Sequence, residues 1–372
     1  MRVAIVHDYI KEYGGAERVL EALHELFPEA PVFTSVYCPN FLGPHKQRFA
    51  TWNIRTSWLQ HIPLKEKLIS PLRLFAPSIF AHMDFSDFDV VIVSATGAYQ
   101  SNMIQKGNAV HICYCHTPPR YLYGYATARN WKKNPLVRVF GEIANHFLRN
   151  IDFQASQHVD YFIANSKEVA SRIKKFYRKQ ATVIYPPVDI PTNTAKVKKS
   201  DYFLTGGRLA QAKHIDLAIA ACSTLKVPLK VFGKGFAGHG EELKKSAGPT
   251  IEFIGEVTDQ KKWTLMKEAK AFIFPSEDED FGILPVEAMA AGTPIIAHRS
   301  GGVIETVVEG KTGMFFNMLS KESLINTIKK FVKENKNWTV PCKKQAALFT
   351  KTIFKKQITS FLATKITEKL VV

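Results

Sequence analysis

The sequence has no run of about 18 consecutive apolar residues, so no segment predicts a membrane-spanning helix. Its five cysteines are an odd number without repeated spacing, which argues against a disulfide framework and favours a reducing, cytoplasmic compartment. Internal repeats, low-complexity segments and a G-x-G-x-x-G fingerprint are also missing, so solenoid and NAD-dependent classes are not favoured. A leader peptide is not expected either, because His7 and Asp8 end the apolar run 3–6.

The composition is that of a globular protein. Apolar residues make up 46% and charged residues 22% of 372 positions, which suits two domains, and two domains imply a cleft between them. The formal net charge is +17, with much of the excess lysine after residue 320. Such a charge permits nucleic acid, anionic lipid or a diphosphate substrate as a partner, while a solvated helix surface would explain it equally well.

Short apolar runs alternate with amphipathic stretches in both halves of the chain, which predicts two doubly wound parallel sheets of the Rossmann type. Strands are predicted at 3–6, 90–95, 109–115, 161–166, 182–187, 202–208, 229–235, 251–257, 271–276 and 293–298. We therefore predict a first domain over 1–190, a linker over 191–200 and a second domain over 201–346. An amphipathic helix is predicted within 347–372; it is expected to pack on a core, and a return to the first domain is left open.

The most specific segment runs from Glu279 to Glu287. Apolar residues end a strand before it and Pro285 suits a first helical turn, which puts Glu279 in the loop and Glu287 in that turn. Gly282 allows close backbone approach, and the N–H groups of Ile283 and Leu284 would attract a diphosphate. Each Glu would then accept hydrogen bonds from sugar hydroxyls; the alternative is that Glu287 only complements the helix dipole.

Three further groups follow predicted strands. Arg208 and Lys213 come after a glycine pair and could grip a diphosphate, although surface ion pairs would also explain them. The Gly14–Gly15 loop follows the first strand. His116 ends another strand, and a lone buried histidine is more often structural; Cys113 and Cys115 beside it are not taken as metal ligands, because no second ligand pair exists.

Together these segments resemble glycosyltransferase family 4, a retaining family with the GT-B fold, over nearly the whole chain. Glu279 and Glu287 match its Glu-x7-Glu motif. The strings HDYIKEYGGAERVLEAL, YCHTPPRYLY and ANSKEVASRIKKFY look like a bacterial polysaccharide subgroup that includes O-antigen mannosyltransferases. One departure is Gly233-Lys-Gly235-Phe-Ala-Gly, where many relatives have Gly-x-Gly-Pro-Glu.

The resemblance implies a role for each site residue. Glu279 would bind the transferred sugar, Glu287 the ribose, and Arg208 with Lys213 the diphosphate, while Gly15 would bind phosphate and His116 the sugar near its reacting carbon. The same resemblance makes His116, Arg208, Lys213 and Glu279 the catalytic set. Further donor contacts are expected from Val257 beside the base and from Phe281, Gly282, Ile283 and Leu284; the acceptor side is expected at Gly14 and Arg120.

The implied reaction transfers a hexose, with mannose from GDP-mannose favoured and UDP-hexoses left open, to a glycan or a polyprenyl-diphosphate-linked saccharide. No cofactor is expected, and no Asp-x-Asp metal pair stands out, so we expect metal independence. The rival readings are a nucleotide-sugar epimerase and a non-catalytic relative that binds nucleic acid or membrane; nucleic acid is not expected as a partner. Peripheral contact with an anionic membrane on its cytoplasmic face is expected from basic and apolar candidates. These are Arg55, Trp58, Leu59, Lys65, Lys67, Arg73, Leu74, Arg120, Arg129, Lys132, Lys133 and Arg138.

Overall fold

The computed structural model describes residues 1–127, 135–190, 197–236, 238–334 and 336–371. The chain divides into two compact units. Unit 1 comprises the described residues of Met1–Tyr125, Trp131–Pro187 and Lys351–Val372, and unit 2 those of Ala126–Asn130 and Val188–Thr350. Residues 191–196 of the predicted linker, and three of the predicted membrane-facing cations (Arg129, Lys132 and Lys133), lie outside the described residues.

The strands, in chain order, are β1 (Val3–His7), β2 (Val32–Thr34), β3 (Ile54–Thr56), β4 (Val90–Ala95), β5 (Val110–Cys115), β6 (Tyr161–Ala164), β7 (Ala181–Val183), β8 (Phe203–Gly206), β9 (Leu229–Phe232), β10 (Ile251–Gly255), β11 (Ala271–Phe274), β12 (Ile295–His298) and β13 (Gly313–Phe316). The α-helices are α1 (Gly15–Leu26), α2 (Lys65–Leu72), α3 (Ala76–Ala81), α4 (Pro135–Gln157), α5 (Lys167–Tyr177), α6 (Ile215–Leu225), α7 (His239–Lys245), α8 (Asp259–Glu268), α9 (Ile283–Ala290), α10 (Val303–Thr306), α11 (Lys321–Glu334), α12 (Thr339–Ala346) and α13 (Lys351–Val371).

Each unit contains one parallel sheet, which confirms the predicted α/β class. Unit 1 has seven strands in the order β3-β2-β1-β4-β5-β6-β7, and unit 2 has six in the order β10-β9-β8-β11-β12-β13. The order reverses between β1 and β4 and between β8 and β11. In open α/β sheets, ligands bind beyond the carboxyl ends of the strands at such a reversal.

The sequence pattern missed β2, β3 and β13. Two of these strands are three residues long and the third has four, so they offer too few positions for an apolar pattern to emerge. The helix predicted from residue 347 is also interrupted. Residues Ala347–Phe349 form a short 3-10 helix, Thr350 is extended, and α13 begins only at Lys351.

The C-terminal helix α13 belongs to unit 1. Its Phe354, Ile358 and Leu362 are buried with Val19 and Leu23 of α1, on one side of the sheet. The lysines of its first two turns, Lys351 and Lys355, lie 3.0 and 2.7 Å from the carboxylate of Glu25 on the same helix α1. The last residues of the chain therefore help to cover the core of the first unit.

A buried carboxyl group on α4 should make the stability of unit 1 depend on pH. Burial raises the pKa of Asp152 from 3.8 to about 7, opposed by hydrogen bonds from Tyr123 and Tyr177. The Tyr123 hydroxyl donates to Asp152 Oδ2 at 2.9 Å. The folded state thus binds this proton more tightly than the unfolded state does. Its contribution to stability is present at acid pH and is lost as the pH rises toward 7, by at most about 1.4 kcal/mol per pH unit.

Asp152→Asn should remove this dependence. Urea unfolding at pH 5 and pH 8 is expected to show the free energy of unfolding of the variant rising relative to that of the wild type as the pH increases. Asp201→Asn, at a side chain that is 85% exposed, is the matched control and should show no such drift. Parallel curves for Asp152→Asn and the wild type would contradict the raised pKa.

Candidate functional site

The loops that follow β8 and β11 emerge side by side from the sheet of unit 2. The two strands are neighbours, with Phe203 opposite Ala271 and Leu204 opposite Phe272. The first loop carries Arg208 and Lys213, and the second carries Glu279. The strand reversal therefore brings two of the predicted site segments to one sheet edge.

Lys213 and Glu279 meet at this edge. Lys213 Nζ donates to Glu279 Oε2 in a short hydrogen bond between partly exposed side chains. Lys213 ends a short 3-10 helix, Gln211–Lys213, and lies 5.9 Å from the ring centroid of Phe274 at the end of β11. Lys213, the predicted diphosphate ligand, is thus oriented by Glu279, the predicted sugar ligand.

The start of α9 packs against the same edge. Gly207 has φ +111°, which favours glycine, and a Cβ atom there would lie 2.7 Å from Leu284 Cδ1 near the start of α9. Gly282 precedes the helix at φ +88°, a conformation that also favours glycine. The N–H groups of the first turn of α9 therefore lie next to the loop that carries Arg208 and Lys213, as an anion site requires.

The helix begins earlier than the sequence indicates. We placed Glu287 in the first turn with Pro285 near the start, but α9 begins at Ile283, so Glu287 lies in the second turn. Helix formation continues back to Gly282 because that residue can adopt the left-handed conformation before the first turn. Glu287 is 1% exposed, so it lies inside the fold rather than on the helix surface.

Sequence reasoning missed a contact between Lys262 on α8 and the predicted site residue Glu287. Its Nζ lies 2.8 Å from Glu287 Oε1 and 3.1 Å from Asp259 Oδ1, and its side chain is 9% exposed. The spacing of Asp259 and Lys262 suggests only an ordinary helical ion pair. The link to Glu287 arises because α8 packs against α9.

Three of the other predicted donor contacts can be located in unit 2. The Arg208 guanidinium lies 5.5 Å from the ring centroid of Phe236. Val257 is half-buried in the segment between β10 and α8. Phe281 is 2% exposed and its ring lies 5.5 Å from that of Phe349, so its side chain packs under the loop.

The segment around Glu279 is held from a second loop. The N–H of Asp278 donates to Ser300 Oγ at 2.9 Å, and the N–H of Gly302 donates to the Glu279 carbonyl at 2.7 Å. Asp278 has φ +51°, a strained value for a residue other than glycine and one that is concentrated at functional sites.

Sequence reasoning also overlooked that Asp278 and Asp280 form an Asp-x-Asp pair around Glu279. Over the described ranges, no group of three or more His, Cys, Asp or Glu side chains comes together in a way that could hold a metal ion. The five cysteines, all buried, are free thiols.

In unit 1, a chain of buried polar groups connects His116 with the Gly14 loop. Ser94 Oγ lies 2.9 Å from His116 Nε2 and 3.1 Å from His7 Nδ1. His7 Nε2 lies 3.7 Å from Glu17 Oε1, and the N–H of Gly14 donates to Glu17 Oε2 at 2.8 Å. We name His7, Glu17, Ser94 and His116 the unit 1 relay.

The carboxylate of Glu17 is the charged end of this relay. Burial raises its pKa, but the neighbouring His7 ring and backbone N–H groups outweigh burial and hold the pKa below its ordinary value. Glu17 therefore remains ionised, fixes the Gly14 backbone and lies beside the His7 ring. The sequence singled out Gly14, Gly15 and His116 but missed His7, Glu17 and Ser94 between them.

Asp8 is a further polar residue that the sequence did not single out. It lies at the reversal between β1 and β4, fully buried, and its Oδ2 accepts from the N–H groups of Ala98 and Tyr99 at 3.0 and 3.1 Å.

Two other predicted residues of unit 1 lie in a turn and at a helix start. Arg120 lies in a turn where its carbonyl accepts from the N–H of Tyr125 at 3.1 Å. Gly15 is exposed in the first turn of α1.

No helix in the part of the chain that the structure describes is both long and apolar enough to cross a bilayer.

Comparison with known proteins links both units to sugar transfer. The family model described as glycosyltransferase family 4 matches residues 13–191, and the model described as glycosyl transferases group 1 matches residues 189–347. An alpha-1,3/1,6-mannosyltransferase of Schizosaccharomyces pombe is 23% identical over 368 residues, which cover 84% of this chain and 70% of the relative. The corresponding enzyme of Dictyostelium discoideum is 25% identical, covering 63% of this chain and 65% of its own.

A solved structure shares the fold over almost the full length. Anabaena Alr3699/HepE, in complex with UDP and glucose, superimposes with a TM-score of 0.72 at 19% identity, covering 98% of this chain and 100% of that one. At this identity the similarity concerns the fold, and the residues of the site carry the argument about chemistry.

Proposed function

Because the chain belongs to glycosyltransferase family 4, we propose that it is a retaining, metal-independent hexosyltransferase that uses a nucleotide diphosphate sugar. The observation that carries the proposal is the meeting of Lys213, Glu279 and the first turn of α9 at the strand reversal of unit 2. A cation, a carboxylate and free helix N–H groups at one edge suit a sugar joined to a diphosphate.

The donor would lie along this edge with its diphosphate on the cations. Arg208 and Lys213 would bind the phosphate oxygens, and Glu279 would accept hydrogen bonds from hydroxyls of the transferred sugar. Glu287 would accept from the ribose hydroxyls. A carboxylate has about four acceptor positions, so the Lys262 ammonium and the ribose can share it. Lys262 would position Glu287 for the ribose.

Bond cleavage would be driven by stabilising the leaving group. As the sugar departs with oxocarbenium character, negative charge grows on the diphosphate, where Arg208, Lys213 and the α9 N–H groups stabilise it. The acceptor hydroxyl then attacks the sugar carbon from the same face and gives its proton to an oxygen of the departing diphosphate, which retains the configuration. Lys213 has three N–H donors, so it can hold Glu279 and the diphosphate together.

Unit 1 would contribute Gly15 and His116 to the same reaction. Gly15 is exposed at the start of α1, where a helix N–H suits a phosphate oxygen, and His116 would contact the sugar near its reacting carbon. The unit 1 relay supports this role, because its hydrogen bonds restrict the orientation of the His116 ring. Gly14 and Arg120 would lie on the acceptor side.

The mannosyltransferase relatives favour GDP-mannose as the donor, and UDP-hexose is the alternative, supported by the UDP and glucose bound to the Anabaena structure. A thermal-shift panel of GDP- and UDP-sugars tests both, since a ligand at 100 times its dissociation constant adds about 2.7 kcal/mol to stability. We expect one of the two nucleotide series to stabilise the protein. We also expect the stabilising donor to transfer its sugar to an acceptor with retained configuration. No stabilisation by any nucleotide sugar would contradict the proposal, and release of an epimeric nucleotide sugar without acceptor would favour an epimerase.

Glu287→Ala should weaken nucleotide binding by about 10- to 100-fold, because hydrogen bonds to a charged group contribute roughly 1.5–3 kcal/mol. Glu279→Ala should instead lower turnover and leave the affinity for the free nucleotide nearly unchanged. Isothermal titration with GDP and UDP, together with kcat and KM, separates the two effects. Glu322→Ala, at an exposed carboxylate on α11, is the control. Unchanged nucleotide affinity in Glu287→Ala would rule out the ribose assignment.

Activity should survive exhaustive dialysis against EDTA. The reason is that Arg208 and Lys213 supply the positive charge that a divalent ion would otherwise bring to the diphosphate. Initial rates before and after dialysis, with Mg²⁺ or Mn²⁺ added back, provide the measurement. A complete loss of activity that either ion restores would contradict the metal-free mechanism.

The acceptor is proposed to be a saccharide on a polyprenyl diphosphate carrier in cell-surface polysaccharide synthesis, including O-antigen. The subgroup resemblance of the motifs supports this class of acceptor. An enzyme with such an acceptor works at the cytoplasmic face of a membrane, and the net charge of +17 suits an anionic surface.

A further inference from the structure

Helix α4 presents a row of large apolar side chains to solvent. Leu136, Val139, Phe140, Ile143 and Phe147 are between 53% and 70% exposed. Consecutive members are three or four residues apart, except for the adjacent pair Val139 and Phe140. At 3.6 residues per turn, this spacing places all five on one side of the helix, within about 100° of arc. We call these five residues the α4 stripe.

The opposite side of α4 faces the core of unit 1. It buries Asn145, Leu148, Asp152, Ala155 and Ser156. Asn145 Nδ2 donates to the Tyr121 carbonyl at 3.2 Å, and Asp152 accepts from the Tyr123 hydroxyl. These buried positions lie in the second half of α4, whereas no described side chain of residues 135–144 is buried. The helix is therefore anchored through its second half, and an exposed apolar row of this size along its first half marks an interaction site.

A second exposed apolar group lies nearby in unit 1. Trp58 and Phe75 are 56% and 53% exposed, and their ring centroids lie 6.4 Å apart. Arg73, two residues before Phe75, stacks its guanidinium 4.0 Å from the ring centroid of Tyr121. The backbone of Tyr121 is bound by α4 through Asn145. Tyr121 thus links α4 to the segment that carries Phe75, and Arg73 with the exposed Lys67 adds positive charge to that segment.

We propose that the α4 stripe is the element through which this protein inserts into an anionic lipid surface, with the exposed Trp58–Phe75 group of unit 1 as a second apolar contact. The side chains project from a convex helix face, which a deformable lipid phase accommodates without a matching groove. Basic residues near an anionic leaflet add favourable electrostatic attraction, and aromatic side chains suit the interface. The inference extends the proposed function, because it names the surface on which a lipid-linked acceptor would be met.

The test is co-sedimentation of the full chain with vesicles. Vesicles of phosphatidylglycerol with phosphatidylethanolamine should bind the wild type, high salt should weaken binding, and phosphatidylcholine alone should bind less. Phe140→Ser with Phe147→Ser should reduce binding by about tenfold or more. The matched control is Met318→Ser with Leu348→Ser, which removes two exposed apolar side chains of unit 2 and should bind as the wild type does. Ile143→Asp is an independent stripe variant.

Two further measurements make the outcome decisive. Unchanged melting temperatures and unchanged stabilisation by a nucleotide sugar would show that the stripe variants are folded and that the donor site is intact. Wild-type protein that stays in the supernatant, or stripe variants that bind like the wild type, would overturn the inference. A dimer in light scattering that the stripe variants abolish, without vesicle binding, would assign the stripe to a second copy of the chain. If the wild type bound vesicles but was not stabilised by any nucleotide sugar, the result would count against the proposed function alone.

Discussion

Replacing Lys213 with Ala should lower kcat by about 10²- to 10³-fold, the loss seen when one donor to a developing negative charge is removed. The ammonium is expected to act mainly after the bond to the diphosphate begins to break, so KM for the donor should change much less than kcat. Lys213 is also the partner of Glu279, and its loss removes the hydrogen bond that orients this carboxylate.

A double-mutant cycle separates these two contributions. Lys213→Ala, Glu279→Gln and the double variant should be strongly non-additive if the pair acts as a unit, because either single change already disrupts it. Lys244→Ala, which removes an exposed lysine paired with Glu241 on α7, should leave kcat within twofold of the wild type, about the scale of an exposed ion pair. Equal kcat in Lys213→Ala and the wild type would exclude Lys213 from the reaction.

Replacing Lys262 with Met should lower the free energy of unfolding by about 3–5 kcal/mol, as is typical when one member of a buried ion pair is removed. The Lys262 ammonium lies 2.8 Å from a carboxylate whose side chain is 2% exposed, so that charge would lose its nearest cation away from bulk water. Nucleotide binding should fall as well, because Glu287 would no longer be held in place.

The neighbouring residue offers the control for this experiment. Lys261→Met changes the same residue type on the exposed side of α8 and should alter the free energy of unfolding by less than about 0.5 kcal/mol. Combining Lys262→Met with Glu287→Gln should recover much of the lost stability, since the second change removes the buried charge. Chemical denaturation of all three variants provides the measurement. A Lys262→Met protein as stable as the wild type would show that Glu287 does not depend on this cation.

Local sequence patterns were sufficient to predict the long buried strands and the segments that carry the candidate site. Runs such as 90–95 and 271–276 are apolar at every or nearly every position, which is typical of parallel strands covered on both faces. Glycine and proline near residues 282–292 marked a helix start beyond such a strand. The patterns did not locate the start of α9, because the left-handed conformation of Gly282 allows the first turn to begin earlier than Pro285 suggests.

Contacts between distant segments were beyond the reach of those patterns. His7, Ser94 and His116 are far apart in the chain, and they meet because β1, β4 and β5 are adjacent in the sheet. Lys262 reaches Glu287 because α8 packs on α9. Neither contact has a local signature, since the sequence around each residue is that of an ordinary strand or helix.

By itself, the sequence determined two parallel α/β units and put Arg208, Lys213, Glu279 and Glu287 after buried strands, because burial and turn formation depend on neighbouring residues. Only the tertiary structure decided which charges pair, and which face of α4 is inside. That helix has apolar residues on both sides, and its polar Asn145 and Asp152 face the core because Tyr121 and Tyr123 satisfy them there. Buried polar groups require partners, and the order of the strands and the packing of the helices determine where those partners lie.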